Sequence, residues 1–201
     1  MPTTVEFFFG PGSRYSYLAA SQLARVEAET GCRFVWRPLR GTELRALRGR
    51  DPFAGEPVSG QYDWGYRRRD AEMWAAYYRI PFREPLNHEP FDLLARAAAA
   101  GELIGAAARY GRALCELAYA SDVWPIDRDA CLACADAAGL ECDAVAALLD
   151  GPAPSQRLGE TAREAHERGV FGVPTFLHAG RLYWGNDRLV LLEHALRQET
   201  S

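Results

Sequence analysis

Residues 7–19, FFFGPGSRYSYLA, run from three phenylalanines through a Gly-Pro-Gly turn to Ser13, with Arg14 and Tyr15 beside it at the start of a helical pattern. A group at that junction faces backbone N–H groups with no intrahelical partner and the positive end of the helix dipole, both of which favour an anion held close by. The segment contains no cysteine, so thiol–disulfide exchange has no nucleophile there. Cysteines stand elsewhere, at Cys32, Cys115, Cys131, Cys134 and Cys142; an odd number in a chain with no export signal reads as reduced thiols rather than a disulfide framework. Cys131 and Cys134 form C-x-x-C inside RDACLACADAAGL, an alanine-rich helical pattern with no strand or turn before it. That context fits small core-filling side chains on one helix. The alternatives are a redox pair or, with Cys115 or Cys142, a zinc knuckle, although structural zinc pairs sit on tight turns rather than mid-helix. No metal is expected. His166, His178 and His194 have no carboxylate or cysteine at a spacing that points to catalysis, and His88 reads as solvated.

These residues need a scaffold, and hydrophobic patterning supplies one. Thr4 to Phe9 (TVEFFF) has the β-branched and aromatic content of a buried strand, ended by GPG. Tyr15 to Thr30 reads as one helix, with Leu18, Leu23 and Val26 near helical spacing and Gly31 as the stop. Arg33 to Arg37 (RFVWR) is a second strand, closed by Pro38; strand, helix and strand in this order predict parallel pairing. Residues 41 to about 160 hold no convincing strand but helical patterns at roughly 62–78, 91–100, 103–120, 127–138, 141–149 and 155–168. RGRDPFAGEPVSG (48–60) is the one long irregular stretch, of the kind that forms binding loops and lids. TFLHAGRLYW (175–184) is an antiparallel hairpin turning at Ala179-Gly180. GNDRLVLLEHAL follows, with Asn186 or Asp187 as helix N-cap and Leu189, Leu192 and Leu196 as the apolar face. The order predicts an α/β fold in which a thioredoxin-like domain with a mixed four-stranded sheet (1–40 and 160–201) is interrupted by an all-helical insertion domain (41–159).

With 201 residues, 48% hydrophobic and 25% charged, the chain suffices for one domain, or a domain with a large insertion, around a real core. A net charge of −4 leaves no surplus to neutralise phosphates, which argues against nucleic acid as a partner; Arg67, Arg68 and Arg69 are only a local cluster. The start MPTTVEFFFG lacks the parts of a signal peptide and no run of 18 apolar residues occurs, so the expectation is a cytoplasmic, soluble protein with no membrane partner.

Most of the chain resembles the 2-hydroxychromene-2-carboxylate isomerase family, glutathione-dependent relatives of kappa-class glutathione transferases and of periplasmic disulfide oxidoreductases. The resemblance is carried by FFFGPGSRYSYLAASQL at the start, VWRPL on the second strand, IPF (80–82), DACLACADAAGL and, most specifically, ERGVFGVPTFLHAGRLYWGNDRL (167–189). It implies glutathione, or another low-molecular-weight thiol, lying along the thioredoxin-like face with its sulfur near Ser13. Ser13 is then catalytic as a donor that favours thiolate, not as a nucleophile. The thiolate adds to a conjugated, aromatic or polyketide-like carbonyl compound; rotation and expulsion of the thiol give the cis-trans isomer with nothing consumed. The resemblance makes Val173-Pro174 a cis-proline site whose preceding backbone meets the cysteinyl part of the thiol. It sets Asn186 and Asp187 at the γ-glutamyl end, an acidic side chain suiting the ammonium and N–H groups the carboxylate; read alone, the same pair serves equally well as N-caps. Arg14, Tyr15, Tyr66, Arg67, Asn87 and Trp184 are the implied substrate contacts, and a homodimer the implied assembly. Trp64, Tyr66, Trp74 and Trp124 either stack on a planar substrate or pack as core.

The chain also departs from the family's pattern. Relatives read Asp-x-x-Ser-Pro-Tyr where this chain has Gly10-Pro11-Gly12-Ser13-Arg14-Tyr15. They carry an asparagine in the loop after the second strand, absent from GRDPFAG, and a lysine three residues before the position of Tyr66, where Asp63 stands; Arg67 or Arg68 can replace that charge. Arginine early in a helix gains nothing from the dipole. Two readings of Arg14 follow: contact with an anion, either a substrate carboxylate or the cofactor, or plain exposure. The departures point to a substrate other than the family's naphthalene-degradation intermediate. A kappa-like glutathione transferase and a non-catalytic small-molecule-binding relative are the alternative functions.

Overall fold

Three consecutive phenylalanines on a strand must face both ways, and the fold covers both sides. The computed structural model describes residues 3–49, 64–84 and 91–199. In β1 (Thr4–Phe9), Val5, Phe7 and Phe9 join the larger core, while Phe8 joins a second one with Leu39, Leu44, Ala162 and Leu177. β2 (Arg33–Pro38) pairs with β1 in parallel, from Thr4–Arg33 to Phe9–Pro38. β3 (Thr175–His178) runs antiparallel along the other side of β1, and β4 (Arg181–Trp184) completes the expected mixed sheet in the order β2-β1-β3-β4. The Phe7 ring stands 4.9 Å from Trp36, 5.1 Å from Phe176 and 5.3 Å from Phe9. Each fully buried phenylalanine contributes about 2 kcal/mol, which anchors the strand whose end carries Ser13.

The single helix expected over Tyr15–Thr30 is two: α1 (Arg14–Ala20) and α2 (Leu23–Thr30). Ser21 Oγ donates to the Leu18 carbonyl at 2.7 Å and the Gln22 N–H reaches back only three residues, to Ala19 at 3.0 Å. A serine that bonds the backbone competes with the regular ladder and turns the chain, leaving Gln22 at the corner. α3 (Gly41–Arg48) is a helix beyond the patterns expected; Leu44 is its one buried residue and no side chain caps its start. The helical patterns that follow are α4 (Trp64–Tyr78), α5 (Phe91–Leu103), α6 (Ala107–Tyr119), α7 (Arg128–Ala137), α8 (Cys142–Asp150) and α9 (Ala153–Glu167), and between β2 and β3 the described residues hold no strand. α9 runs through residues 159 and 160, and Ala162 and Ala165 from its second half pack on the sheet. After the hairpin, a 3₁₀ turn (Asn186–Arg188) leads into α10 (Leu189–Glu199), whose Leu189, Leu192 and Leu196 are buried.

All five cysteines are free, and Cys131 and Cys134 lie within α7. Burial pushes the Cys131 thiol up to about 12 and that of Cys134 to about 11. At pH 8 the Cys134 thiolate is then about one part in a thousand, too little for rapid exchange. Native protein treated with a disulfide reagent at pH 8 is therefore expected to react at neither cysteine on the timescale of an exposed thiol, and to titrate fully once unfolded. Rapid joint reaction of Cys131 and Cys134 would revive the redox-pair reading. His178 has an acidic partner that sequence spacing did not reveal: Nε2 lies 2.9 Å from Glu199 on α10. The pair sits at the Thr4 end of the sheet, away from Ser13.

Candidate active site

β1 ends at Phe9, and the turn that follows closes with a 2.9 Å bond from the Ser13 N–H to the Gly10 carbonyl. Gly12 lies against the Phe91 ring, which is 2.0 Å from where a Cβ would stand, so any larger residue there must displace that ring. Ser13 takes φ −98° and ψ 119°, and its Oγ accepts from the Ser16 N–H at 3.3 Å, capping α1. Accepting uses a lone pair and leaves the hydroxyl hydrogen to donate. The first turn of α1 contains no acidic side chain to offset the positive end of the dipole.

Plain exposure of Arg14 is overturned, since the residue is 5% exposed. Its Nη2 stands 2.6 Å from Oε1 of Glu84, with the two side chains 6% and 5% exposed. The anion that Arg14 meets in the structure belongs to the chain itself. Sequence reasoning missed Glu84; the signal was a helix-start arginine with no dipole reason, which needs a counter-charge if buried, and the acid just beyond IPF.

Tyr15 donates its hydroxyl to Asp70 Oδ2 at 2.9 Å, while the Arg67 guanidinium stands 5.7 Å from the ring centre. Burial, then the Asp70 carboxylate, push the Tyr15 hydroxyl up to about 12, with Arg67 working against them. Tyr15 is therefore a donor at physiological pH and not a base. Asp70, also missed, follows Arg67 by three residues and so shares its helix face. It lines a cavity of about 730 Å³ together with Gln22, Trp74, Tyr78, Asn186 and Asp187.

The Val173–Pro174 peptide is cis. Val173 abuts the serine turn: its Cγ2 would lie 3.6 Å from a Cβ at Gly10. The Pro174 carbonyl accepts from the Gly185 N–H at 2.9 Å, which ties this turn to the next. Gly185 holds φ 110°, and a Cβ there would be 2.4 Å from Asp187 Oδ1, so the Asp187 carboxylate folds back over a glycine. The N-cap reading of Asn186 and Asp187 is corrected: both lie inside the 3₁₀ turn, whose cap is Gly185 with no side-chain cap bond. Asn186 is 3% exposed, and its Nδ2 makes no hydrogen bond of full geometry among the described residues. The phenol nearest in influence is Tyr78, which burial raises and the Asn186 amide draws back down.

The remaining residues singled out in the sequence are dispersed. Trp184 lies on edge strand β4 with its ring 5.0 Å from Phe171, and Tyr66 is half exposed on α4. Trp74 is half-buried against Tyr77 and Tyr78 and reaches the cavity; Trp124, in contrast, is 43% exposed and is not core. Asn87, Asp63 and most of the stretch 48–60 lie outside the described residues.

A family model for the DSBA-like thioredoxin domain matches residues 4–197. A 2-hydroxychromene-2-carboxylate isomerase of Sphingobium xenophagum is 30% identical over 98% of this chain and 99% of its own. Human glutathione S-transferase kappa 1 is 28% identical over 99% and 93%. A solved 2-hydroxychromene-2-carboxylate isomerase superposes with a TM-score of 0.82 at 26% identity, covering 98% of this chain and 96% of that one. Sequence and superposition agree over nearly the whole length of the chain, which belongs to the DSBA-like thioredoxin family and stands within it among the 2-hydroxychromene-2-carboxylate isomerases.

Proposed function

We propose that the protein is a cis-trans isomerase of a conjugated, aromatic or polyketide-like carbonyl compound, dependent on glutathione or another small thiol. The observation that carries this reading is Ser13, a helix-capping serine with a donatable hydrogen where disulfide enzymes need a cysteine. The isomerase and kappa transferase names of its relatives support it.

The residues present fit glutathione. Asn186 is buried at the cavity wall, where its amide, which also reaches the Tyr78 phenol, suits a ligand oxygen. Asp187 beside it suits an ammonium. Val173 lies beyond the last β1–β3 pair, Phe8–Thr175, where an extended peptide backbone adds to a sheet. When bound, glutathione supplies a sulfur nucleophile for reversible addition, so that a double bond becomes single and can rotate before the sulfur leaves. Ser13 donates to the sulfur and favours its ionised form. Tyr15 gives its one hydroxyl hydrogen to Asp70, which fixes its ring, so towards the substrate it offers its ring and an oxygen lone pair and takes up no proton. Arg14, Tyr66, Arg67, Asn87 and Trp184 complete the proposed substrate contacts. We take the protein to act in the cytoplasm, where its free cysteines stay reduced, and as a homodimer; Met73, Tyr77 and Val190, 60%, 76% and 65% exposed beside the cavity, support an apolar contact between copies.

The test is incubation of one geometric isomer of an enone carboxylate with catalytic glutathione. Interconversion without loss of thiol supports the isomerase. A stable thioether from an electrophile bearing a leaving group, with no isomerisation, supports the kappa-like transferase that the 28% identity to the human enzyme favours as second reading. Asp187→Ala is expected to weaken glutathione binding by about tenfold or more in calorimetry, the loss of one charged hydrogen bond. An analogue lacking the amino group is expected to bind both proteins equally.

A further inference from the structure

Both peptide planes that flank Ser13 end on one buried oxygen. Tyr119, at the C-terminal end of α6 and 4% exposed, donates its hydroxyl to the Gly12 carbonyl at 2.5 Å. The Arg14 backbone N–H faces the Tyr119 hydroxyl oxygen and slightly offsets the rise that burial gives that phenol. The far ends of the two planes are held as well, by the 2.9 Å bond from the Ser13 N–H to Gly10 and the 3.0 Å bond from the Tyr17 N–H to the Ser13 carbonyl. Two fixed planes fix φ and ψ of Ser13, and with them the direction of its Cα–Cβ bond, so Oγ keeps only the choice of χ1 rotamer. Arginine at position 14 makes the second contact possible, because a proline there has no N–H to offer.

The oxygen is itself held firmly. The Tyr119, Tyr17 and Phe82 rings form a triangular cluster, with Tyr119 5.8 Å from each of the other two and those two 6.4 Å apart. The Arg83 N–H bonds the Tyr119 carbonyl at 2.7 Å, the Tyr17 hydroxyl bonds the Pro81 carbonyl at 2.5 Å, and Glu84 ends the same segment on Arg14. We infer that Tyr119 is a positioning residue, through whose hydroxyl the helical insertion aims Ser13 at the anion it receives. That this anion is a thiolate rests on the function proposed above.

The test is Tyr119→Phe, which keeps the stacked ring. Amide hydrogen exchange needs no ligand: the Ser13 and Arg14 amides are expected to exchange at least tenfold faster than in wild type, with the Arg33 amide on β2 unchanged. With glutathione bound, thiolate absorbance followed across pH is expected to shift the thiol's titration upward in Tyr119→Phe. Ser13→Ala is expected to give the same upward shift while its Arg14 amide stays protected. Unchanged exchange in Tyr119→Phe overturns the inference, and so does faster exchange with an unshifted thiol when Ser13→Ala shifts it. Wild type decides alone if the variant does not fold, since Ser13 and Arg14 amides exchanging as fast as exposed ones also overturn it. A wild type that ionises no thiol sinks the thiol reading, and the exchange data still decide the role of Tyr119.

Discussion

Ser13→Ala is expected to lower turnover by about a hundred- to a thousandfold, the loss that follows removal of one donor from a developing or bound anion. The same serine caps α1 through Ser16, so the substitution also removes a cap, costing about 1 kcal/mol out of a total stability of about 5–15 kcal/mol. The protein stays folded, and the two effects come apart in a second variant. Ser13→Asp retains an N-cap acceptor, and a better one near the helix dipole, but it has no hydrogen to donate and sets a negative charge beside the anion. Its urea midpoint is expected to match or exceed that of wild type while turnover stays at or below the alanine level. An active Ser13→Asp would make capping the whole role of the residue. Turnover undiminished in Ser13→Ala would bring the non-catalytic, ligand-binding reading forward.

Ser13 was legible in the sequence because everything that makes it a candidate is local: an apolar strand, a glycine turn and a helix start within a dozen residues. The hairpin was legible for the same reason, since Ala179-Gly180 interrupts two short runs of strand character. The break at Ser21 was not, because the apolar spacing of Leu18, Leu23 and Val26 continues across it and only a side-chain bond to Leu18 tells the two helices apart. Val173, Asn186 and Asp187 came from the resemblance alone; the structure adds the bond from Gly185 to Pro174 that joins them. Asp70, Glu84 and Tyr119 escaped for a different physical reason. Tyr15 and Asp70 are 55 positions apart, and Tyr119 is 107 positions from the carbonyl it holds. Pairings of that kind exist only once the helical insertion has docked on the sheet, and no periodicity or spacing records the docking. Arg14 shows the limit well. Dipole reasoning found that the residue required an anion or exposure, but could not find which acid in the chain would supply the charge.

That acid sets the second large effect. Glu84→Ala is expected to destabilise the protein by about 3–5 kcal/mol in urea unfolding, because it strands the Arg14 guanidinium in a site where both side chains are about 5% exposed. Arg14→Met alone is expected to cost a similar amount by stranding the carboxylate. The double variant Arg14→Met with Glu84→Leu removes both charges together and is expected to recover most of the loss, since a buried pair and an apolar replacement of similar volume are close in free energy. A cost below about 1 kcal/mol for either single variant would mean that the pair is solvated and of the surface kind. Once the double variant is folded, its turnover separates what the family's proline position has gained in this chain. If the pair serves only to hold segment 81–84 against the serine turn, the double variant turns over as wild type does, because the Tyr119 bond to Gly12 and the backbone N–H at position 14 survive the substitution. If turnover falls while stability is restored, the Arg14 charge acts on the substrate as well as on Glu84, and the fall is expected to appear in KM for carboxylate-bearing substrates and not for their esters.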